Sequence, residues 1–426
     1  MSSEREGARD ASGAVITILG TRGSPAAYAI RDFLHRSDIP YRWVELTSDE
    51  EARAKAQVSS LNDPRLPVCL FPDGTRFENP TIRQIIEKLG WFRDPSRSEY
   101  DLAIYGAGPA GLSAAVYGAS DGLKTVVIER WAVGGQAGSS PKIENYLGFP
   151  GGISGADLAE RAREQAVRFG AEILLNREGV RGEFMPGKGV GHLADGTKIV
   201  ARASVCATGV EYRRLGLPNE ERFAGVGVYY GAGASEAMLC GRQHVFVVGG
   251  GNSAGQAALH FCRYTDKVTL VVCEDSLEQN MSAYLIERLL ATPQVEILLN
   301  TEVIALHGDQ ILRGITLRNN RTGAEWYAET SWLFLCLGGE PQTQWAADVG
   351  IMRDSGGYLI TGIDLRGDAR WPANWALDRE PYPMETNVPG VFAAGDVRHG
   401  SIKRCASAVG EGAMAVAHIH RYLTKG

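Results

Sequence analysis

Two glycine-rich turns, about 140 residues apart, constrain this chain more than any other feature. The first is Gly106-Ala107-Gly108-Pro109-Ala110-Gly111 and the second is Gly249-Gly250-Gly251-Asn252-Ser253-Ala254. Each follows an apolar run, Leu102 to Tyr105 and Val245 to Val248, and each opens a helical pattern. Strand, glycine turn and helix together let a backbone approach a pyrophosphate. The glycines permit the turn, and the helix N-terminus offers unpaired N–H groups and the positive end of its dipole. An acid closes each unit. Glu129 ends the strand from Thr125 to Ile128, 18 positions past Gly111, near the spacing that sets a carboxylate on a ribose hydroxyl. In the second unit a helix from Gly255 to Arg263 leads to a strand from Val268 to Val272 and then to Cys273-Glu274-Asp275. A ribose diol suits a carboxylate and a 2′-phosphate suits Arg or Lys, so Glu274 favours NADH over NADPH. The plainer alternative is a solvated acid in an unused site.

Bulk properties bound the partners. The chain has 426 residues, a length that suggests about three domains. Its net charge is −6 with no Lys/Arg-rich run, which argues against nucleic acid or an anionic membrane as partner. The stretch from Met1 to Ala11 is polar and unlike a signal peptide. No apolar run approaches the roughly 20 residues that span a bilayer. The seven cysteines (Cys69, Cys206, Cys240, Cys262, Cys273, Cys336, Cys405) include no Cys-x-x-Cys. The expectation is a cytoplasmic chain with free thiols and no metal site.

Ahead of the first glycine turn, the segment from about 13 to 92 reads as βαβ followed by strands and a helix. Val15 to Leu19 is a strand, Pro25 through Leu34 a helix, and Tyr41 to Leu46 a strand. Val68 to Phe71 precedes the turn Pro72-Asp73-Gly74, and Thr81 caps a helix to Leu89. Arg93 to Glu99 is a polar linker.

From Asp101 onward the chain resembles the low-molecular-weight thioredoxin reductases, within the two-dinucleotide flavoprotein disulfide reductases. The resemblance rests on the two glycine turns and on Gly134-Gly135-Gln136, Ile143-Glu144-Asn145-Tyr146, Ala207-Thr208-Gly209, Gly395-Asp396 and Gly410-Glu411-Gly412 in family order. It implies an α/β fold with two Rossmann-like three-layer domains. It also implies FAD held by Gly106, Gly108, Pro109, Ala110, Gly111, Glu129, Gly135, Gln136, Asn145, Ala207, Thr208, Gly209, Gly395 and Asp396. Lys403, Arg404, Cys405 and Ala406 would lie against the isoalloxazine. NADH or NADPH would lie on Gly249, Gly251, Asn252, Ser253, Ala254 and Glu274. A homodimer is implied too, with hinges near Arg213–Gly216 and Leu337–Pro341. The first segment resembles a glutaredoxin or thioredoxin fold, with Leu66-Pro67 as its cis-proline loop. The expected domains are 1–95 (thioredoxin-like), 100–215 (FAD, first part), 216–337 (NAD(P)) and 338–426 (FAD, second part).

The departures redirect the chemistry. The family's dithiol falls on Gly231 and Ala234, and its basic clamp for a 2′-phosphate on Val272-Cys273-Glu274. The thioredoxin-like segment has Ser24-Pro25-Ala26-Ala27 where Cys-Pro-x-Cys would stand. Ser24 reads as a helix N-cap, with a glutathione-binding hydroxyl as the other reading. His399 is a candidate proton donor at the flavin, and Cys405 a candidate flavin contact with packing as the plainer role. Tyr229 and Tyr230 read either as shields for the cofactors or as core. The stretch Arg366 to Glu385 departs from a short family loop and reads as a cover for the active site or a dimer contact. The leading expectation is an FAD enzyme reduced by NAD(P)H and reoxidised by a non-disulfide acceptor, a small molecule or a protein carrier. Two others remain open: an oxidase using O₂ with a vestigial nicotinamide site, and a non-catalytic flavoprotein that senses redox state or binds a partner.

Overall fold

In the computed structural model of the chain, residues 15–185, 187–367, 370–372, 375 and 377–425 are described; Met1 to Ala11 lie outside them. The chain divides into two compact units. One holds the residues up to Leu89 with Ser139–Lys142 and Tyr212–Gly338; the other holds Gly90–Gly138, Ile143–Glu211 and Gly339–Gly426.

The first module begins with β1 (Ile16–Gly20), buried along its length. Ser24 caps α1 (Pro25–Arg36): its hydroxyl accepts the Ala27 N–H at 3.2 Å, and Pro25 occupies the first turn, where a missing N–H costs nothing. The N-cap reading of Ser24 therefore holds. The helix returns the chain to β2 (Tyr41–Glu45), parallel to β1. After α2 (Asp49–Ala56), β3 (Val68–Leu70) and β4 (Arg76–Glu78) complete an antiparallel edge, in the order β2-β1-β3-β4. The Leu66–Pro67 peptide is cis. Thr81 caps α3 (Ile82–Lys88) through a full capping box with Gln84.

The next stretch builds a larger sheet from β5 (Tyr100–Tyr105), β6 (Thr125–Glu129), β7 (Glu172–Leu175), β8 (Gly179–Met185), β9 (Lys188–Leu193) and β10 (Lys198–Cys206), ordered β7-β6-β5-β10-β9-β8. Helix α4 (Pro109–Ser120) follows β5 and α5 (Gly155–Arg168) precedes β7. The central strands β5, β6, β7 and β10 are parallel, which is why they read as near-continuous apolar runs.

The second Rossmann-like sheet uses β11 (Val228–Tyr230), β12 (His244–Val248), β13 (Lys267–Val271) and β14 (Val295–Leu298), with α6 (Asn252–Phe261) and α7 (Ala283–Leu290). A three-stranded antiparallel sheet of β15 (Thr301–Gly308), β16 (Leu312–Asn319) and β17 (Glu325–Glu329) intervenes before β18 (Leu333–Leu335). β18 inserts between β11 and β12, giving the parallel order β11-β18-β12-β13-β14. Helix α6 begins at Asn252, three residues earlier than the sequence pattern suggests, because Gly251 takes an extended N-cap conformation and the helix starts inside the turn. Tyr229 is 1 % exposed and stacks on Trp332 and Phe334 at 5.6 and 5.0 Å, so it belongs to the core.

The chain then returns to the larger sheet as β19 (Val391–Ala393), parallel to β10, and ends in α8 (Cys405–Lys425). The described part of the Arg366 to Glu385 stretch is anchored near the start of β19. Buried Glu385 takes a bidentate pair from Arg379 at 2.7 and 2.9 Å and the Gly390 N–H at 3.1 Å. Tyr382 stacks on His418 of α8 at 5.4 Å. Gly395 and Asp396 follow the other end of the strand.

Candidate functional site

Each glycine turn has the shape its spacing implies. In the first, Gly106 has φ +104°, and a Cβ there would run into the Ala207 carbonyl. A Cβ on Gly111 would run into the Gly106 carbonyl oxygen, and one on Gly412 into that of Ala110. Gly135 stands 3.0 Å, measured from its would-be Cβ, from the Gly108 Cα. The turn, the Ala207-Thr208-Gly209 segment after β10, Gly135 and the start of α8 therefore converge at one end of the larger sheet. Gly108 caps α4 with no side-chain hydrogen bond, leaving the helix N-terminus open to an anion.

Glu129, 8 % exposed at the end of β6, accepts the Ala107 N–H at 2.7 Å and the Trp131 N–H at 2.8 Å. The carboxylate thus shapes the loop on which a ribose would lie. Gln136 donates its amide to the Val210 carbonyl at 2.8 Å, while Asn145 lies exposed on the loop 144–150. Glu411, which the sequence reading treated only as part of a motif, is a positioning residue. Its Oε2 accepts the Gly395 N–H at 2.7 Å, and its Oε1 accepts from Arg398 at 2.6 Å. Gly395, at φ +78°, and Asp396 are set by this contact. Burial holds the Asp396 carboxyl above its usual range, with Lys403 offsetting part of the rise and Glu411 adding to it.

Lys403 donates to the Asp396 carbonyl and the Ser401 hydroxyl, each at 2.7 Å, and its ammonium lies 4.3 Å from the Tyr358 ring centre. Cys405 opens α8, next to Arg404 and Ala406. Burial raises its thiol, and the negative charge of Asp396 adds to that, so it is a poor nucleophile. His399 is partly exposed, and its Nδ1 lies 2.6 Å from Asp354 Oδ2, a partner 45 positions away that the sequence reading did not find. These residues fit a bound dinucleotide flavin: glycines where only backbone fits, an open helix N-terminus, and an acid at the strand end.

The second turn repeats the design. Gly249 has φ +140°, and a Cβ there would meet the Cys336 carbonyl. Gly251 caps α6 with no side-chain hydrogen bond. Asn252 is tied to Ser282 by two hydrogen bonds, at 3.0 and 2.7 Å, which fix the first turn of the helix. Ser253 and Ala254 complete that turn. A Cβ on Gly250 would stand 3.1 Å from Glu274 Oε2, so the carboxylate sits over the glycine turn. Cys273 donates its thiol to the same oxygen at 3.2 Å.

Residues 231–236, which follow β11, hold no thiol. Gly231 has φ +83°, and a Cβ there would stand 2.5 Å from the Tyr212 hydroxyl. Cys240 is fully buried, with its thiol on the Glu236 carbonyl at 3.4 Å, and burial raises it far above the ordinary range. Among the described residues, no group of three His, Cys, Asp or Glu is placed to hold a metal, and no helix is long and apolar enough to cross a membrane.

Residues 100–412 match the family model for the pyridine nucleotide-disulphide oxidoreductases. The thioredoxin reductase of Treponema pallidum is 35 % identical over 319 residues, covering 75 % of this chain and 95 % of the relative. That of Bacillus subtilis is 35 % identical over 326 residues, covering 76 % and 95 %. Among solved structures, Lactococcus lactis thioredoxin reductase superposes with a TM-score of 0.68 at 28 % identity, covering 77 % of this chain and all of that one. Thioredoxin reductases use FAD and NAD(P)H. The chain therefore belongs to the pyridine nucleotide-disulphide oxidoreductase family, among the relatives of thioredoxin reductase.

Proposed function

We propose that this protein is an FAD enzyme whose flavin takes electrons from NAD(P)H, with NADH preferred, and gives them to an acceptor other than a disulfide. The observation that carries the reading is Gly231. By its spacing ahead of the second glycine turn it stands at one of the family's two dithiol positions, and its Cβ space is taken by the Tyr212 hydroxyl, 2.5 Å away. With Ala234 at the other position, no thiol stands where flavin electrons would pass to a disulfide. Flavin supplies the hydride acceptance and the one- or two-electron release that such a reaction needs.

The chain's residues bind and orient. Gly106 to Gly111 and the α4 N-terminus would hold the FAD pyrophosphate, Glu129 the ribose side, and Asp396 the ribityl portion. Lys403 to Ala406 would back the isoalloxazine. Gly249 to Ala254 and the α6 N-terminus would take the nicotinamide dinucleotide, and Glu274 its ribose diol. His399, held by Asp354, would give or take a proton at Nε2. By analogy with its relatives the protein acts in the cytoplasm as a homodimer. The N-terminal module, with its β-α-β-α-β-β-α order and cis Pro67, fits a thioredoxin-like fold whose dithiol positions read Ser24 and Ala27.

An anaerobic mix with NADH, and separately with NADPH, tests this. Flavin absorbance should bleach, faster with NADH. A reductive titration should consume one two-electron equivalent per flavin, because no dithiol shares the electrons. A second equivalent, or no bleaching with either nucleotide, would overturn the proposal.

A further inference from the structure

The N-terminal module and the residues Tyr212–Gly338 form one compact unit. The seam between them contains groups that a reversible contact rarely uses. Arg31 of α1 and Glu236, 205 positions apart, are each 1 % exposed. The guanidinium donates Nε and Nη2 to Glu236 Oε1 at 3.3 and 3.2 Å, and Nη2 to Oε2 at 3.0 Å. The Trp43 ring covers Arg31 at 4.2 Å. Tyr28 meets Tyr229 edge-on at 5.3 Å and fills the space beside Gly225. Arg22 lies 3.9 Å over the ring of Trp332, whose indole N–H donates to Gln243 at 2.9 Å.

We propose that the module is a permanently seated part of the nucleotide-binding unit, pinned by Arg31–Glu236, and that it closes the face from Tyr229 to Glu236 to any external protein. Lifting it would leave two opposite charges to be rehydrated separately and would expose Tyr28, Tyr229 and Trp332 together. The geometry of the lost dithiol points the same way. Gly231, Ala232, Gly233, Ser235 and Glu236 are buried and Ala234 is partly buried, so the segment where related reductases carry a redox pair presents little surface. The inference holds whatever the electron acceptor proves to be.

A cross-link tests it on the full FAD-loaded chain. A Cβ on Gly23 would lie 3.0 Å from Ile311 Cγ2 across the seam. The Gly23→Cys/Ile311→Cys pair should oxidise to a disulfide in most molecules. NADH-driven flavin reduction and NADH turnover with dioxygen should then stay within about twofold of the reduced form. Failure to cross-link, or a loss of about tenfold or more on cross-linking, would overturn the proposal. Charge reversal gives an independent reading. Glu236→Arg should speed amide exchange in Pro25–Arg36 by about tenfold or more, and Arg31→Glu/Glu236→Arg should restore protection. Unchanged exchange in the single variant would remove the pin.

Discussion

Asp354 Oδ2 lies 2.6 Å from His399 Nδ1, while Asp354 Oδ1 accepts the Gly356 and Tyr358 N–H groups at 2.9 Å each. One carboxylate thus fixes a tight turn and the tautomer of a histidine at once. Burial pushes the Asp354 carboxyl up, but the hydrogen bonds from His399, Tyr358 and Gly356 outweigh it and hold the group below its usual range. The ring is left with Nε2 open on a half-exposed side chain. Nothing in the local sequence marks Asp354, since the pairing depends on the bridge between Leu359 and Arg398.

Asp354→Asn keeps the shape and removes the charge. The contact to His399 Nδ1 then loses its charge assistance, and the ring is held by a neutral amide oxygen alone. If His399 handles a proton at the flavin, the rate of flavin reoxidation should fall severalfold while FAD content stays unchanged. An unchanged reoxidation rate would make Asp354–His399 purely structural.

Gly111→Ala forces a methyl group against the Gly106 carbonyl oxygen at the turn that would carry the pyrophosphate. Overpacking of this kind costs about 1–3 kcal/mol. The purified variant should hold FAD roughly tenfold more weakly, read from the ratio of flavin to protein absorbance after dialysis. Gly122→Ala is a control of a different sort: its Cβ would meet nothing within 4 Å, but its φ of +88° strains the backbone away from the site. It should lower stability while leaving FAD affinity unchanged.

Glu274 sits over Gly250, where a 2′-phosphate would meet its negative charge. Glu274→Arg should reverse the nucleotide preference. The NADPH rate of flavin reduction should rise and the NADH rate fall, changing the ratio by about tenfold or more, the worth of one charge-assisted contact. If the two nucleotides respond alike, the carboxylate does not read the ribose.

The sequence made the local signals legible and hid the long-range ones. Pro25 after Ser24, the Thr81–Gln84 capping box and the apolar runs of β5 and β12 are written within a few residues of where they act, and the structure follows them to within one or two positions. The sheet of β15, β16 and β17 left no such trace. In β16, Leu312, Ile315 and Leu317 are all buried, so apolar residues fall on both parities and period-two alternation is lost. Arg31 reads as a solvated residue on an amphipathic helix, and only a partner 205 residues on explains its burial. The glycine turns were legible because their spacing is local; Glu411 and Asp354, which position Gly395 and His399, were not.

Acid should loosen the seam of the N-terminal module. His260, in the last turn of α6, is lowered to about 4 by burial, then by Arg263 and by His35. His35, in the last turn of α1, is lowered by burial as well; Asp32 and Asp38 pull it up and Arg36 pulls it down. Both rings are therefore neutral in the folded chain, whereas an unfolded histidine titrates near pH 6.5. As pH falls from there toward 4, the unfolded state takes protons that the folded state refuses, so stability is full above about 6.5 and declines below it. His260 keeps part of its hydration, so the loss is roughly 1–2 kcal/mol rather than the full shift. Acidifying from about pH 7.5 to 5 should speed amide exchange in Pro25–Arg36, taken relative to the intrinsic exchange rate at each pH, more than in α4 of the other unit. His260→Gln removes one of the two groups and should flatten that pH dependence. Equal acceleration in wild type and variant would assign the acid effect to carboxylates elsewhere.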